Sequence, residues 1–206
     1  MGPWKFKYRD PGAAIVVEWV AAADSNTVLE EYRRSRDTVP AEEQALVETY
    51  AEATYLKYRS LRDEFAADAP DYPKWKGMRG KSQECFALLQ ARIDEGDRPL
   101  AGSMLLRSAW TGDVVVDFVG TNFGVTRYSA QEFPLVGVML VTVAVEIAAA
   151  SSAGMVWVET ARHSHKWWSE LLDCPHAFVK FEQVNSVLAN LNEFWSSNGV
   201  THTNEE

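Results

Sequence analysis

The stretch whose reading decides the fold is Pro134-Leu135-Val136-Gly137-Val138-Met139-Leu140-Val141-Thr142-Val143-Ala144-Val145-Glu146-Ile147-Ala148-Ala149-Ala150-Ser151-Ser152. Its apolar residues fall on every side, and a helix hydrophobic all round must be covered all round. The run is shorter than the roughly 20 apolar residues a membrane span needs, carries Glu146, and lacks a basic flank on one side. It therefore reads as a buried core helix. Pro134 suits its first turn, where a missing N–H removes nothing the helix would use.

Working outward, residues 84–93 and 100–110 read as strands joined by the turn Asp94-Glu95-Gly96-Asp97. Thr111-Gly112-Asp113 then turns into a third strand over 114–119, which completes a meander. Beyond the helix the pattern predicts a strand over 155–160, a helix over 163–172, a strand over 178–183 and a helix over 186–195. In that last helix Val187, Leu191, Phe194 and Trp195 share the core face. Before the meander, residues 13–20 follow Pro11-Gly12 as a β-branched run, a strand by composition, although the alanines at 21–23 also suit a helix. Asp24, Ser25 and Asn26 offer N-caps for a helix to about 36. Asp37 or Thr38 caps a second one, with Pro40 and the acids Glu42 and Glu43 in its first turn. Val47, Tyr50, Thr54, Tyr58, Leu61 and Phe65 form the inward stripe of that helix. Pro70, Pro73, Gly77 and Gly80, with Tyr72 and Trp75 among them, make 68–80 a loop with aromatic anchors.

The organisation is thus one domain over 1–195, with a helical part at 24–67, the loop at 68–80 and a sheet-rich part at 81–195. A polar tail at 196–206 is expected to fray. The fold class is mixed α/β: a central sheet flanked by helices, with an extra helix at the C-terminal end.

Composition narrows the function. The 206 residues are 47% hydrophobic, with eight Trp, nine Phe and seven Tyr, which is globular packing rather than disorder. A net charge of −9 with dispersed Lys and Arg lacks the basic stripe that nucleic acid requires. Arg33, Arg34 and Arg36 are interleaved with Glu30, Glu31 and Asp37, as on a solvated helix face. Cys85 and Cys174 have no zinc or redox spacing, and the N-terminal residues lack a signal peptide's apolar run, so the expected location is cytoplasmic. No membrane partner is expected, and a homodimer remains open.

The order strand, two helices, three antiparallel strands, helix, strand, helix, strand over about residues 13–183 resembles the GNAT superfamily of N-acetyltransferases. Arg98-Pro99-Leu100-Ala101-Gly102-Ser103-Met104-Leu105-Leu106 looks like that family's third strand, residues 114–119 like its fourth, and Gly137-Val138-Met139-Leu140 like the end of its pyrophosphate-loop motif. The resemblance implies a GNAT-like fold and an N-acyltransferase that takes acetyl-CoA or another acyl-CoA as substrate. A small-molecule or peptide amine would attack the thioester directly. By this likeness the cofactor lies against Phe118 and Val119, with its diphosphate at Leu135, Val136, Gly137, Val138 and Met139 and with Arg127 supplying charge. The unpaired N–H groups and dipole of a helix N-terminus favour such an anion. The sequence departs from the family motif at Glu132 and Leu135, which stand at its basic and first-glycine positions. Trp168 stands near the family's tyrosine acid, and an indole N–H is not a usable acid at neutral pH. On residues alone, Gly137 serves equally to let a buried helix pack closely. The departures suit a rival class, a non-catalytic binding protein or another small-molecule enzyme on the same scaffold.

Three groups are candidates for proton handling. His163 and His165 lie where a strand gives way to a helix, an edge at which α/β folds place ligands, and imidazole transfers protons near pH 7. Capping and surface roles account for them equally. Two residues apart and without a completing Cys or carboxylate, they make a poor metal set. Asp117, inside an apolar strand, either points to solvent by alternation or lines a cleft as a general base.

Overall fold

The computed structural model describes residues 2–9, 13–20, 24–42, 44–45, 85–109, 111–126, 133, 135–159, 165–172 and 179–204. The stripe from Val47 to Phe65, the aromatic loop at 68–80, Arg127, Glu132, Pro134 and His163 lie outside them. Eight strands form one sheet: β1 (Trp4–Tyr8), β2 (Ala14–Trp19), β3 (Cys85–Ile93), β4 (Leu100–Ser108), β5 (Val114–Thr121), β6 (Met155–Glu159), β7 (Val179–Gln183) and β8 (Val200–Asn204). The helices are α1 (Ser25–Ser35), the short α2 (Phe123–Thr126), α3 (Val136–Ala150), α4 (His165–Leu171) and α5 (Val184–Asn198). Among the described residues, no helix is long and apolar enough to cross a membrane.

The sheet order is β7-β6-β5-β4-β3-β2-β1-β8. Its neighbours are antiparallel except β5 and β6, which run parallel because α3 carries the chain back between them. The predicted α/β architecture is present, meander, buried helix and added helix included.

Strand β4 shows why the meander is central. Its residues alternate between two cores, with Ala101 excepted: Met104 and Leu106 join the cluster around α3, while Leu100 and Leu105 join Val28, Leu29 and Tyr32 of α1 on the other face. Covered on both faces, such a strand reads as a nearly continuous apolar run. Helix α3 has sheet on one side and α5 on the other, which explains its all-round hydrophobicity. Its buried Thr142 is satisfied: Oγ1 donates to the Val138 carbonyl at 2.9 Å and accepts the Trp195 indole N–H at 3.0 Å. Gly102 permits the close approach of α3. A Cβ there would stand 2.8 Å from the Gly120 carbonyl oxygen and 3.1 Å from Val136 Cγ1.

Two strands at one end of the sheet, β1 and β8, correct the sequence reading. Residues 196–198 finish α5, Gly199 ends it at φ +65°, and Val200–Asn204 pair antiparallel with β1 as β8, where a fraying tail was expected. Polar Thr-His-Thr carries no strand signal alone, because the ladder to β1 holds it in place. Strand β1 was also missed, although Trp4, Phe6 and Tyr8 alternate with Lys5 and Lys7 at the period of a half-buried strand.

Candidate functional site

Strands β5 and β6 are paired at Val114 with Val156, Val115 with Trp157 and Val116 with Val158. On its other side β5 stays paired with β4 out to Thr121. There Leu105 faces Phe118 while Leu106 faces Val116, so Asp117 is an extra residue, a β-bulge. A bulge bends its strand and adds twist. Here it directly follows Val116, which pairs with Val158 of β6.

The bulge also answers the question about Asp117. Its side chain is only 8% exposed, and its carboxylate accepts Arg107 Nε–H at 3.0 Å and Nη2–H at 3.5 Å. It is neither a solvent-facing group nor a free base. Arg107 was not singled out from sequence; the available signal was opposite charges on adjacent strands of a meander. Phe118 packs toward the α1 side, and Val119 is half-buried against the α3 core.

The first turn of α3 lies beside the end of β5. Leu135, its N-cap, has φ +73° and offers no side-chain cap; its carbonyl accepts Met139 N–H at 2.9 Å. This left-handed conformation is the one glycine adopts freely, although the residue is leucine. The N–H groups of Val136, Gly137 and Val138 precede the first intrahelical donor. The side chains of Val136, Val138 and Met139 are buried, so those residues could offer a ligand only their backbone. A Cβ on Gly137 would meet the Trp167 indole at 3.5 Å and Thr121 Cγ2 at 3.9 Å. Trp167 thus overhangs the helix start, held edge-to-face at 4.6 Å by Trp168, which is buried in the core. His165 begins α4 half-exposed, and its carbonyl accepts Ser169 Oγ–H at 2.7 Å. The described residues contain no group of three His, Cys, Asp or Glu able to hold a metal.

On the α1 face, beside the end of β5, lies an open cleft of about 510 Å³ that sequence reasoning did not find. Glu31, Arg34, Arg92, Asp97 and Asn122 line it. Arg92 grips Glu31 with two bonds of 3.0 and 2.6 Å and also donates to the Arg98 carbonyl. Beneath it, Tyr32 OH sits 3.1 Å from Ser103 Oγ and donates to the Gly120 carbonyl at 3.2 Å. Burial pushes the Tyr32 phenol up to about 12, with the hydrogen bonds to Ser103 opposing it, so it stays protonated. Glu31 faced solvent in the sequence reading because its partner, Arg92, comes from a strand 61 residues away.

These elements make an α/β protein whose mixed sheet has one parallel strand pair, with a buried helix starting beside the end of β5. No protein-family model and no curated protein matches the chain. Among solved structures it is similar to a nourseothricin acetyltransferase, at 19% identity and a TM-score of 0.32 over 47% of this chain. The match spans 62% of that enzyme, less than two thirds of its length.

Proposed function

We propose that this chain is an acyltransferase that moves an acyl group from acyl-CoA to a small-molecule or peptide amine. The observation that carries this reading is the bulge at Asp117 in β5, a strand whose end at Thr121 lies beside Gly137 in the first turn of α3. An extended thioester arm could take main-chain hydrogen bonds from β5 near the bulge, and a diphosphate suits the N–H groups of Val136, Gly137 and Val138. Trp167 would lie beside that diphosphate, and Arg127 would add charge.

In the reaction the amine nitrogen bonds to the thioester carbon, the C–S bond breaks, the thiolate leaves, and the ammonium formed loses a proton. Positioning and proton removal are the protein's contribution. With Asp117 tied to Arg107, proton removal falls to His165 or His163, and Asp117 acts by holding the bulge. The polar cleft at Glu31 and Arg34 is a candidate for the acceptor.

A second reading is a binding protein without catalysis. It is favoured by the Trp167 indole over Gly137 and by the engaged carboxylate of Asp117. Isothermal titration with acetyl-CoA separates the two: a micromolar dissociation constant supports the transferase, and no heat at millimolar ligand removes it. Once binding is seen, thiol release across a panel of amines tests turnover. His165→Ala is expected to lower it without unfolding the domain.

A further inference from the structure

Glu146 is the sole charged residue of α3, and it is largely withdrawn from solvent. Its Oε1 stands 3.4 Å from His202 Nε2 of β8, with both side chains mostly buried, at 20% and 15% exposure. His202 is fixed from behind by Phe6, its ladder partner, with the rings stacked 4.4 Å apart and tilted by 12°. The Trp4 indole N–H, Glu146 Oε2 and His202 Nε2 are all buried without a hydrogen bond of normal geometry. On β1, Phe6 stacks on His202 and Trp4 reaches Glu146; Ile15 and Val17 of β2 are their ladder partners, and Trp195 of α5 packs on Phe6. None of these carries a charge that could neutralise an ion there; Lys5 of β1 turns away to pair with Asp94. Two titratable groups in an apolar wall are best accommodated as a neutral pair with one proton between them.

We infer that Glu146 and His202 form a proton-exchanging latch: closed, the carboxyl keeps the proton beside a neutral imidazole, and when β8 detaches from α3 the proton passes to His202. Burial acts on the two partners in opposite senses. It raises Glu146 from 4.5 to about 7, slightly opposed by the nearby Trp4 indole, and it lowers His202 from 6.5. The raised carboxyl contributes stability that is complete below its ordinary value and lost as pH rises through about 7. The lowered imidazole contributes stability present above 6.5 and lost as pH falls through its value in the folded protein. Below 6.5, opening therefore releases a proton from one partner and takes one up on the other, and the docking of β8 is insensitive to pH. Above it, the open imidazole no longer takes the proton, and β8 loosens until the closed carboxyl itself ionises.

The test is native-state hydrogen exchange of β8 amides against those of β4, corrected for intrinsic rates, from about pH 5 to about pH 8. The wild type is expected to hold level up to about pH 6.5 and then open a few-fold more readily by about pH 7.5. Glu146→Gln should open on acidification and His202→Asn on alkalinisation, the latter by up to about tenfold per pH unit. Slopes of the same sign in the two variants would overturn the latch, as would a wild-type slope near tenfold per unit below pH 6.5. Should a variant not fold, nitrogen NMR of the wild-type imidazole decides: a neutral ring at about pH 6 supports the latch, and an imidazolium there removes it.

Discussion

The guanidinium of Arg107 and the carboxylate of Asp117 meet across β4 and β5, Nε 3.0 Å from Oδ2, where the extra residue of β5 interrupts the ladder. The pair anchors the bulge in β5, so a charge contact between neighbouring strands helps shape the candidate site.

Because Asp117 is the more buried partner, Arg107→Ala leaves a nearly inaccessible carboxylate without its counter-ion and is expected to cost about 3 kcal/mol. Asp117→Ala should cost less, since Arg107 is 27% exposed and can reach water. The two losses should sum to more than that of the double variant, as read from urea midpoints.

Two glycines should respond in opposite ways. Gly102→Ala drives a Cβ against the Gly120 carbonyl and α3, and is expected to destabilise by about 1–3 kcal/mol in thermal or urea unfolding.

Gly137→Ala, by contrast, puts its Cβ at ordinary contact distance from Trp167 and replaces a poor helix former. Stability should hold or rise by up to about 1 kcal/mol. If acyl-CoA binds as proposed, calorimetry should show weakened affinity in this folded variant.

Tyr32→Phe removes the hydroxyl that joins α1 to Ser103 and to the Gly120 carbonyl. An expected loss of about 1–2 kcal/mol follows from leaving buried acceptors unpaired. Exchange at the end of β5 should rise more than exchange in β3.

Trp195→Phe keeps the packing against Phe6 but deletes the indole N–H that Thr142 accepts, with about 1 kcal/mol expected from denaturant unfolding. In a Thr142→Val background the same change should cost less, since the partner is already gone.

Most elements of the sheet and the buried helix are written in local sequence. Apolar runs at 84–93, 100–110 and 134–152, divided by Gly- and Asp-containing turns, determine strands and a helix through periodicity and burial, which neighbouring residues alone encode. The same holds for Gly137 at the start of α3. What local sequence does not carry is which distant groups meet. Asp117 reads equally as surface acid or base until Arg107 is set beside it by register. Glu31 reads as solvated until Arg92 arrives from β3. Glu146 reads as the one polar position of an apolar helix until His202, 56 residues later, is brought against it by a strand with no signal of its own. Helix and strand formation is local, whereas ion pairing and desolvation depend on contacts between residues far apart in the chain. For that reason the elements around α3 follow from nearby residues alone, whereas the partner that each of these acids meets is set by the fold.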